Sequence, residues 1–572
     1  MSTTLPFEPR TLPAALRRAA ERFPRRGVAL FDRRGEKAER RTYPELLATA
    51  RRGAARLYAR GVRPRDPVLV CLPTSWEWFE TWFGALLVGA WPVAVAPGGA
   101  LGASEAQVDK VEHLIERLGA RLLVASPSFF TDAGRHGASF APGLAATPEE
   151  LAATTVSAAA PEPGADLDDV AYLQLTSGST GFPRGVVVTH RNALHNNWAC
   201  DVAIGTPRGG PASTWADAMV SWLPLYHDMG LVGCVLLPIF AGWDLWLFSP
   251  RSFLARPAVW MRHLGGHGRT ITAAPNFGYQ LCTERVSAEE RAGLELGDFH
   301  AAMIGAEMIR PESMADFLTA FAPQGLERAA LRPCYGLAEG TLAVTFDLRG
   351  EGVRTRRAPA EAGAGEVVCV GRAVEDTEVR IAAPSGEALA EGRVGDVLVR
   401  GPGVFGGYFN DPESTAEGLR DGWLATSDLG FLAGGELYIT GRTKDLLIVR
   451  GQNLMPHELE WVADAVVAGG GSLRSGAFSI ARGAHGEEAV LVLETTDREP
   501  AALAALEHEV RVRIGRTVGL PLADVAFVPR GKIPKTTSGK VQRQELRRLY
   551  LAGELERLPV PPHDPIPGRD DP

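Results

Sequence analysis

Eleven residues, TSGSTGFPRGV at positions 176–186, hold three glycines, a proline, four hydroxyl side chains and one arginine. Glycine lets backbone N–H groups come close to a ligand, and Ser and Thr hydroxyls add short-range donors. Arg184 adds a permanent charge whose fork of donors suits phosphate oxygens. VAYLQL before the loop and RGVVVTH after it read as strands. The segment therefore suits a bound polyphosphate, although its composition alone suits a plain hairpin turn as well. It matches neither G-x-x-x-x-G-K-[ST] nor G-x-G-x-x-G. A second candidate is the adjacent pair His227 and Asp228. Metal phosphohydrolases use such pairs, but a metal centre needs further histidines and acids that one pair does not supply.

The elements that must position these residues come from an ordinary globular chain. It has 572 residues, 45% hydrophobic and 22% charged, with a net charge of −8. That length allows about three or four domains' worth of core. The acidic balance argues against general nucleic-acid binding, which needs a basic face. Six cysteines show no C-x-x-C spacing, so they are expected to be small buried hydrophobes in a reducing cytosol. The N-terminus has no apolar core of a secretory signal. Residues 83–103 carry no charge and could span a bilayer by length, but Pro92, Pro97, Gly98 and Gly99 interrupt them. The pattern predicts a helix ending near Gly89 and a buried strand WPVAVA, with no membrane insertion.

The first half alternates helical and short apolar segments: TYPELLATARRGAARLYARG, DPVLVCLP, WEWFETWFGALLVG, DKVEHLIERLGA and RLLVAS. That alternation predicts an α/β fold with parallel sheets covered by helices. Residues 138–168 read as a surface connection and residues 347–365 as an exposed excursion. From about Leu446 the texture changes to a small α+β unit. SGAFSIA, EEAVLVLE and ADVAFVP read as its strands and AALAALEHEVRVRIGRTVG as its helix. The expected division is a large domain over 1–441, a boundary at 442–445, a small domain over 446–560 and a disordered tail over 561–572.

In its order of residues, T-S-G-S-T-G-x-P-[KR]-G, the loop resembles the phosphate loop of the adenylate-forming enzymes. These include acyl-CoA synthetases, luciferases, peptide-synthetase adenylation domains and fatty acyl-AMP ligases. Further blocks follow in the family's order: SWLPLYHDMGLVG, AAPNFGYQLC, GAEMIRP, CYGLAEGTL, GWLATSDLG, TGRTKDLLIVRGQN and PKTTSGKVQR. The first two are closest to fatty acyl-AMP ligases. The resemblance covers nearly the whole chain. At Arg184 the family usually has lysine; at Ala338 it often has threonine.

The resemblance implies ATP and Mg²⁺ as cofactors and assigns roles by position. Thr176, Ser177, Gly178, Ser179, Thr180, Gly181 and Arg184 would hold phosphates. Gly305, Ala306 and Glu307 would flank adenine, with Tyr335 stacked on it beside Gly336 and Leu337. Asp428, assisted by Arg442, would take the ribose hydroxyls. Glu339 would hold Mg²⁺. Ser221, Trp222, His227, Asn276 and Phe277 would line the acyl pocket, with His227 at its carboxylate end. Lys540 would bridge the reacting carboxylate and phosphate. The resemblance also implies that the boundary at 442–445 is a hinge, at Lys444, and that the small domain moves about it between two half-reactions.

The resemblance thus implies a cytoplasmic fatty acyl-AMP ligase that passes its acyl group to the phosphopantetheine thiol of a separate acyl carrier protein. An acyl-CoA synthetase is the alternative, and an amino-acid-activating enzyme a third. Fatty acyl-AMP ligases carry an insertion after YGLAE; residues 347–365 occupy that region and are shorter. A nucleotide-binding regulator without turnover would be expected to lack one of Glu339, Asp428, Arg442 or Lys540, and all four are present.

Overall fold

The uncharged run divides where glycine and proline predict. Helix Trp76–Val88 is capped at its start by Ser75 and ends on Gly89 with φ 78°, and strand Trp91–Ala94 follows. The computed structural model describes residues 8–98, 104–176, 183–205, 210–266, 268–359, 365–449, 452–467, 475–481, 487–536 and 540–560. Among them no helix is long and apolar enough to cross a membrane. Helix Trp76–Val88 lies against helix Tyr43–Ala59 through two glycines. A Cβ on Gly84 would stand 2.7 Å from the carbonyl carbon of Gly53, so the close approach excludes any larger residue there. Trp78, Phe79, Trp82 and Phe83 from this helix are buried together. Each such side chain contributes about 1.5–3 kcal/mol by leaving water.

Two large sheets dominate the first 380 residues. One has the strand order Ala145–Ala146, Leu122–Ala125, Pro67–Cys71, Trp91–Ala94, Val170–Leu175, Gly185–Thr189, parallel except for the last pair. The other runs from Arg372–Ala373 through Ala343–Phe346, Leu331–Gly336, Phe299–Ile304, Thr270–Ala274, Ala218–Ser221, Asp244–Leu247 and Gly27–Phe31 to Ala38–Thr42. Its inner strands, Leu331–Gly336 to Gly27–Phe31, are all parallel. Parallel strands put their C-terminal ends on one edge, where α/β proteins bind ligands. Thr176, Gly305 and Tyr335 all lie at such ends. An antiparallel sheet follows, in which Trp423–Ala433 pairs with Glu436–Arg442.

The strands expected after Leu446 form as Ser475–Ala481, Glu487–Thr495 and Leu522–Pro529, and the helix as Pro500–Thr517. Their buried side chains, among them Leu447, Leu491, Val510 and Phe527, make a core that shares no member with the main one. The tail expected to be disordered, 561–572, lies outside the described residues.

Two segments are more ordered than their composition suggests. Within 138–168, strand Ala145–Ala146 joins the sheet edge. Helix Pro148–Ala152 is fixed by a capping box between Thr147 and Glu150 and by buried Leu151. Within 347–365, Asp347 is buried, and Thr355–Arg357 pairs with Glu366–Val368. Arg354 grips Glu436 with two hydrogen bonds of 2.8 and 2.9 Å. The excursion is therefore a braced hairpin; long-range arginine anchors leave no periodic trace in sequence.

Asp201, buried in helix His190–Gly205, accepts from the backbone N–H and the hydroxyl of Ser213 at 2.6 and 2.7 Å. Burial pushes its carboxyl up to about 6, against both hydrogen bonds. A group raised in the fold holds its proton more tightly there than in the unfolded chain. Stability therefore falls as pH rises from about 4 to about 6. Asp201→Asn mimics the protonated shape. It is expected to raise Tm above about pH 7 and to leave it unchanged below about pH 4, as read by calorimetry. An unchanged Tm at the higher pH would show that the charge is not disfavoured there.

Candidate active site

One cavity of about 500 Å³ gathers residues from the two large sheets and from the C-terminal unit. It is lined by Thr176, Arg184, His227, Gly305, Ala306, Glu307, Tyr335, Gly336, Leu337, Glu339, Asp428, Arg442, Lys444 and Lys540. Fourteen of the residues singled out in the sequence thus meet in one place. Ser177, Gly178, Ser179, Thr180 and Gly181 lie outside the described residues.

The register of the Trp423–Ala433 and Glu436–Arg442 hairpin sets Asp428 directly opposite Arg442. Arg442 Nε donates to Asp428 Oδ1 at 2.9 Å, and the Tyr335 hydroxyl donates to Asp428 Oδ2 at 2.5 Å. Gly305 follows strand Phe299–Ile304, next to strand Leu331–Gly336, which carries Tyr335; a Cβ there would stand 2.9 Å from the Cys334 carbonyl oxygen. Ala306 has φ 67° and Ser427 φ 61°. Non-glycine residues in this region cost on the order of 1–3 kcal/mol each and cluster at functional sites. Glu307 is pinned by the backbone N–H of Phe277 at 2.7 Å, in the first turn of helix Asn276–Arg285.

At the neck of the 176–184 loop, Thr176 N–H donates to the Arg184 carbonyl at 3.0 Å, and Arg184 N–H to the Thr176 hydroxyl at 3.2 Å. The Arg184 guanidinium stands over the Tyr408 ring at 5.2 Å and 3.9 Å from Asp411, which also pairs with Arg117. The Tyr408 hydroxyl donates to Glu339 Oε1 at 2.7 Å. Burial pushes the Glu339 carboxyl up, against that hydrogen bond. A half-buried carboxylate with one oxygen held, lining the cavity, fits a hard cation that keeps waters and phosphate oxygens as most of its ligands.

His227 Nδ1 lies 2.7 Å from Asp228 Oδ1. Burial alone would raise the Asp228 carboxyl, but His227 and Lys540 more than offset it and hold it low. Among the described residues no group of three or more His, Cys, Asp or Glu could hold a metal. The loop bearing Lys540 is closed by backbone: Thr536 N–H donates to the Lys540 carbonyl at 2.7 Å, and Lys540 N–H to the Thr536 hydroxyl at 3.1 Å. Arg543 ties the same segment to Asp445 at 3.0 Å and to Glu460 at 2.7 Å. Burial and Arg442 hold the Lys540 ammonium below the usual lysine range, while Asp228, Asp428 and Glu307 oppose the shift.

From this polar centre the cavity continues between apolar walls. Cys200, Ile204, Met229, Gly233, Leu237, Met303, Phe346, Val368 and Val370 line it. Met229 and Gly233 belong to a π-helix, Met229–Leu236. Four expected pocket residues stand behind this wall and do not line it. Ser221 is buried, accepting from Leu223 N–H at 3.1 Å. Trp222 is stacked on Phe253 at 3.9 Å and edge-on to Phe277 at 5.7 Å. Asn276 accepts from Arg310 N–H at 3.0 Å. Sequence motifs select the block, but only packing tells which side of a strand end faces the cavity. Tyr408, Asp411 and Arg543 were missed as well; only Arg543 lies in a quoted block.

A cavity at the strand ends of two parallel sheets, with a carboxylate–arginine pair, an aromatic hydroxyl and a lysine from a second core, defines an adenylate-forming enzyme. The AMP-binding enzyme family matches residues 16–409, and the chain belongs to it. It is 34% identical over 550 residues to a putative acyl-CoA synthetase of Caulobacter vibrioides, covering 92% of this chain and 93% of that one. It is 31% identical over 560 residues to the medium-chain-fatty-acid–[acyl-carrier-protein] ligase JamA of Moorena producens, covering 90% of each. A solved structure from a study of the fatty acyl-adenylate ligases of E. coli and L. pneumophila superposes with a TM-score of 0.85 at 31% identity, over 96% of this chain and 98% of that one.

Proposed function

We propose that the protein activates a fatty acid with ATP, releasing pyrophosphate, and then passes the acyl group to the phosphopantetheine thiol of an acyl carrier protein in the cytoplasm. The observation that carries this is Lys540, which lines the cavity together with Arg442, Asp228, Asp428 and Glu307 and feels the charge of all four. Two anions, a carboxylate and a phosphate, repel each other, and an ammonium between them offsets that repulsion. The carboxylate oxygen attacks the α-phosphorus, and the bond to the pyrophosphate oxygen breaks. In the second step the thiol sulfur attacks the acyl carbon, its proton passes to solvent, and AMP leaves with the bonding pair.

In this reading Tyr335 covers adenine with its ring, Asp428 and Arg442 meet the ribose, and Gly305 to Glu307 flank the base. Arg184 and the 176–181 loop take phosphates. Glu339 would hold Mg²⁺, which would neutralise phosphate charge. His227, aligned by Asp228, orients the substrate carboxylate. Lys444 lies in the Thr443–Asp445 turn before the second core begins, the place for a hinge between a large domain, 1–441, and a small one, 446–560.

The carrier as acceptor rests on the likeness to JamA, and free CoA is kept as a second reading because the Caulobacter vibrioides relative is named an acyl-CoA synthetase. Pyrophosphate release is to be measured with fatty acids of graded length, then thioester formation with holo-carrier or CoA. Fatty-acid-dependent release with carrier acylation is the expected outcome. Strong CoA thioester formation would select the second reading, and no release with any acid would refute both.

A further inference from the structure

Lys110 also lines the cavity, yet none of the blocks carrying the resemblance contains it. It sits on helix Glu105–Leu118, whose C-terminal end lies against the neck of the 176–184 loop: a Cβ on Gly185 would meet Leu118 Cδ2 at 3.4 Å. At the helix start, Gln107 Nε2 donates to the Ala96 carbonyl at 2.5 Å, just beyond strand Trp91–Ala94. That strand is the parallel neighbour of Val170–Leu175, which ends at Thr176. Seven residues after Lys110, on the same helix face, Arg117 reaches Asp411, the partner of Arg184. Lys110 therefore stands between two tethers that fix the helix against the loop neck.

Its charge is uncompensated. Among the described residues no carboxylate pairs with Lys110, whereas Arg184 shares Asp411 with Arg117. A half-buried ammonium without a counter-charge is costly, and burial holds it below the usual lysine range. An anion arriving from outside the chain would reverse that cost.

We propose that Lys110 binds the β- and γ-phosphates of ATP, and the pyrophosphate formed from them, as a second cation beside Arg184. This rests on the reading that the cavity takes ATP. Lys110 does not touch the reacting carboxylate. It acts on the leaving group, binding it before the α-phosphate bond breaks and holding it as the charge grows.

The test compares AMP, Mg²⁺-ATP and pyrophosphate binding by calorimetry in wild type, Lys110→Met and Lys110→Arg, with the KM for pyrophosphate in ATP exchange. Loss of one charge-assisted phosphate contact is expected to weaken ATP and pyrophosphate about ten-fold or more in Lys110→Met. AMP, which lacks those phosphates, should bind unchanged, and Lys110→Arg should recover most of the loss. Equal ATP affinity in wild type and Lys110→Met would overturn the assignment. So would a matching loss for AMP, which would mean a structural role. A wild type that binds no nucleotide would overturn the parent reading as well, and so separates the two failures.

Discussion

Lys540→Met is expected to reduce ATP–pyrophosphate exchange by roughly 10²–10³-fold or more, the scale of losing a preorganised group that meets developing charge. AMP affinity and far-UV circular dichroism should stay as in wild type. The loop around Lys540 is held by backbone contacts with Thr536 and by Arg543, none of which uses the lysine side chain. The ammonium is held below the usual lysine range by burial and Arg442. A lysine depressed in the fold gives up its proton at lower pH than an ordinary one. The alkaline limb of the exchange rate should therefore fall below about pH 10.4, the value for a free lysine. By the same sign, the folded state disfavours the charge at neutral pH, so the methionine variant should be no less stable. Exchange at the wild-type rate would remove Lys540 from the chemistry.

Gly233→Leu is expected to shorten the acids the enzyme accepts. Gly233 lies in the π-helix wall of the apolar branch, and a Cβ there would meet Leu342 Cδ2, across the cavity lining, at 3.0 Å. A full side chain must either displace Leu342 or enter the channel. For acids long enough to pass this point, kcat/KM should drop on the order of 100-fold, while acids ending before it keep theirs. Gly230, one turn earlier, gives the contrast. Its Cβ would meet the Pro224 backbone oxygen at 2.2 Å, so substitution there should damage folding rather than selectivity. An equal loss at every chain length for Gly233→Leu would mean that the acyl chain takes another route.

Sequence pattern reached the alternating sheets, the Gly89 helix stop and the strands of the second core because each depends on local periodicity and caps. It reached most of the polar centre because ordered blocks mark Tyr335, Asp428, Arg442 and Lys540. It did not reach the apolar wall. Trp222 and Gly233 belong to one block, yet only Gly233 faces the channel, since Trp222 is claimed by Phe253 in the core. Nor did it reach Asp411 or the Arg354–Glu436 clasp, whose partners lie far apart in the chain and leave no spacing rule.

Both carboxylate oxygens of Asp428 are engaged within the protein, one by a phenol and one by a guanidinium. A sugar diol docking there swaps bonds instead of adding them, and such swaps are nearly neutral in free energy. On the proposed reading, the nucleoside end of the cradle is thus shaped for recognition without tenacity, and AMP, which lacks the two outer phosphates of ATP, is expected to leave it readily.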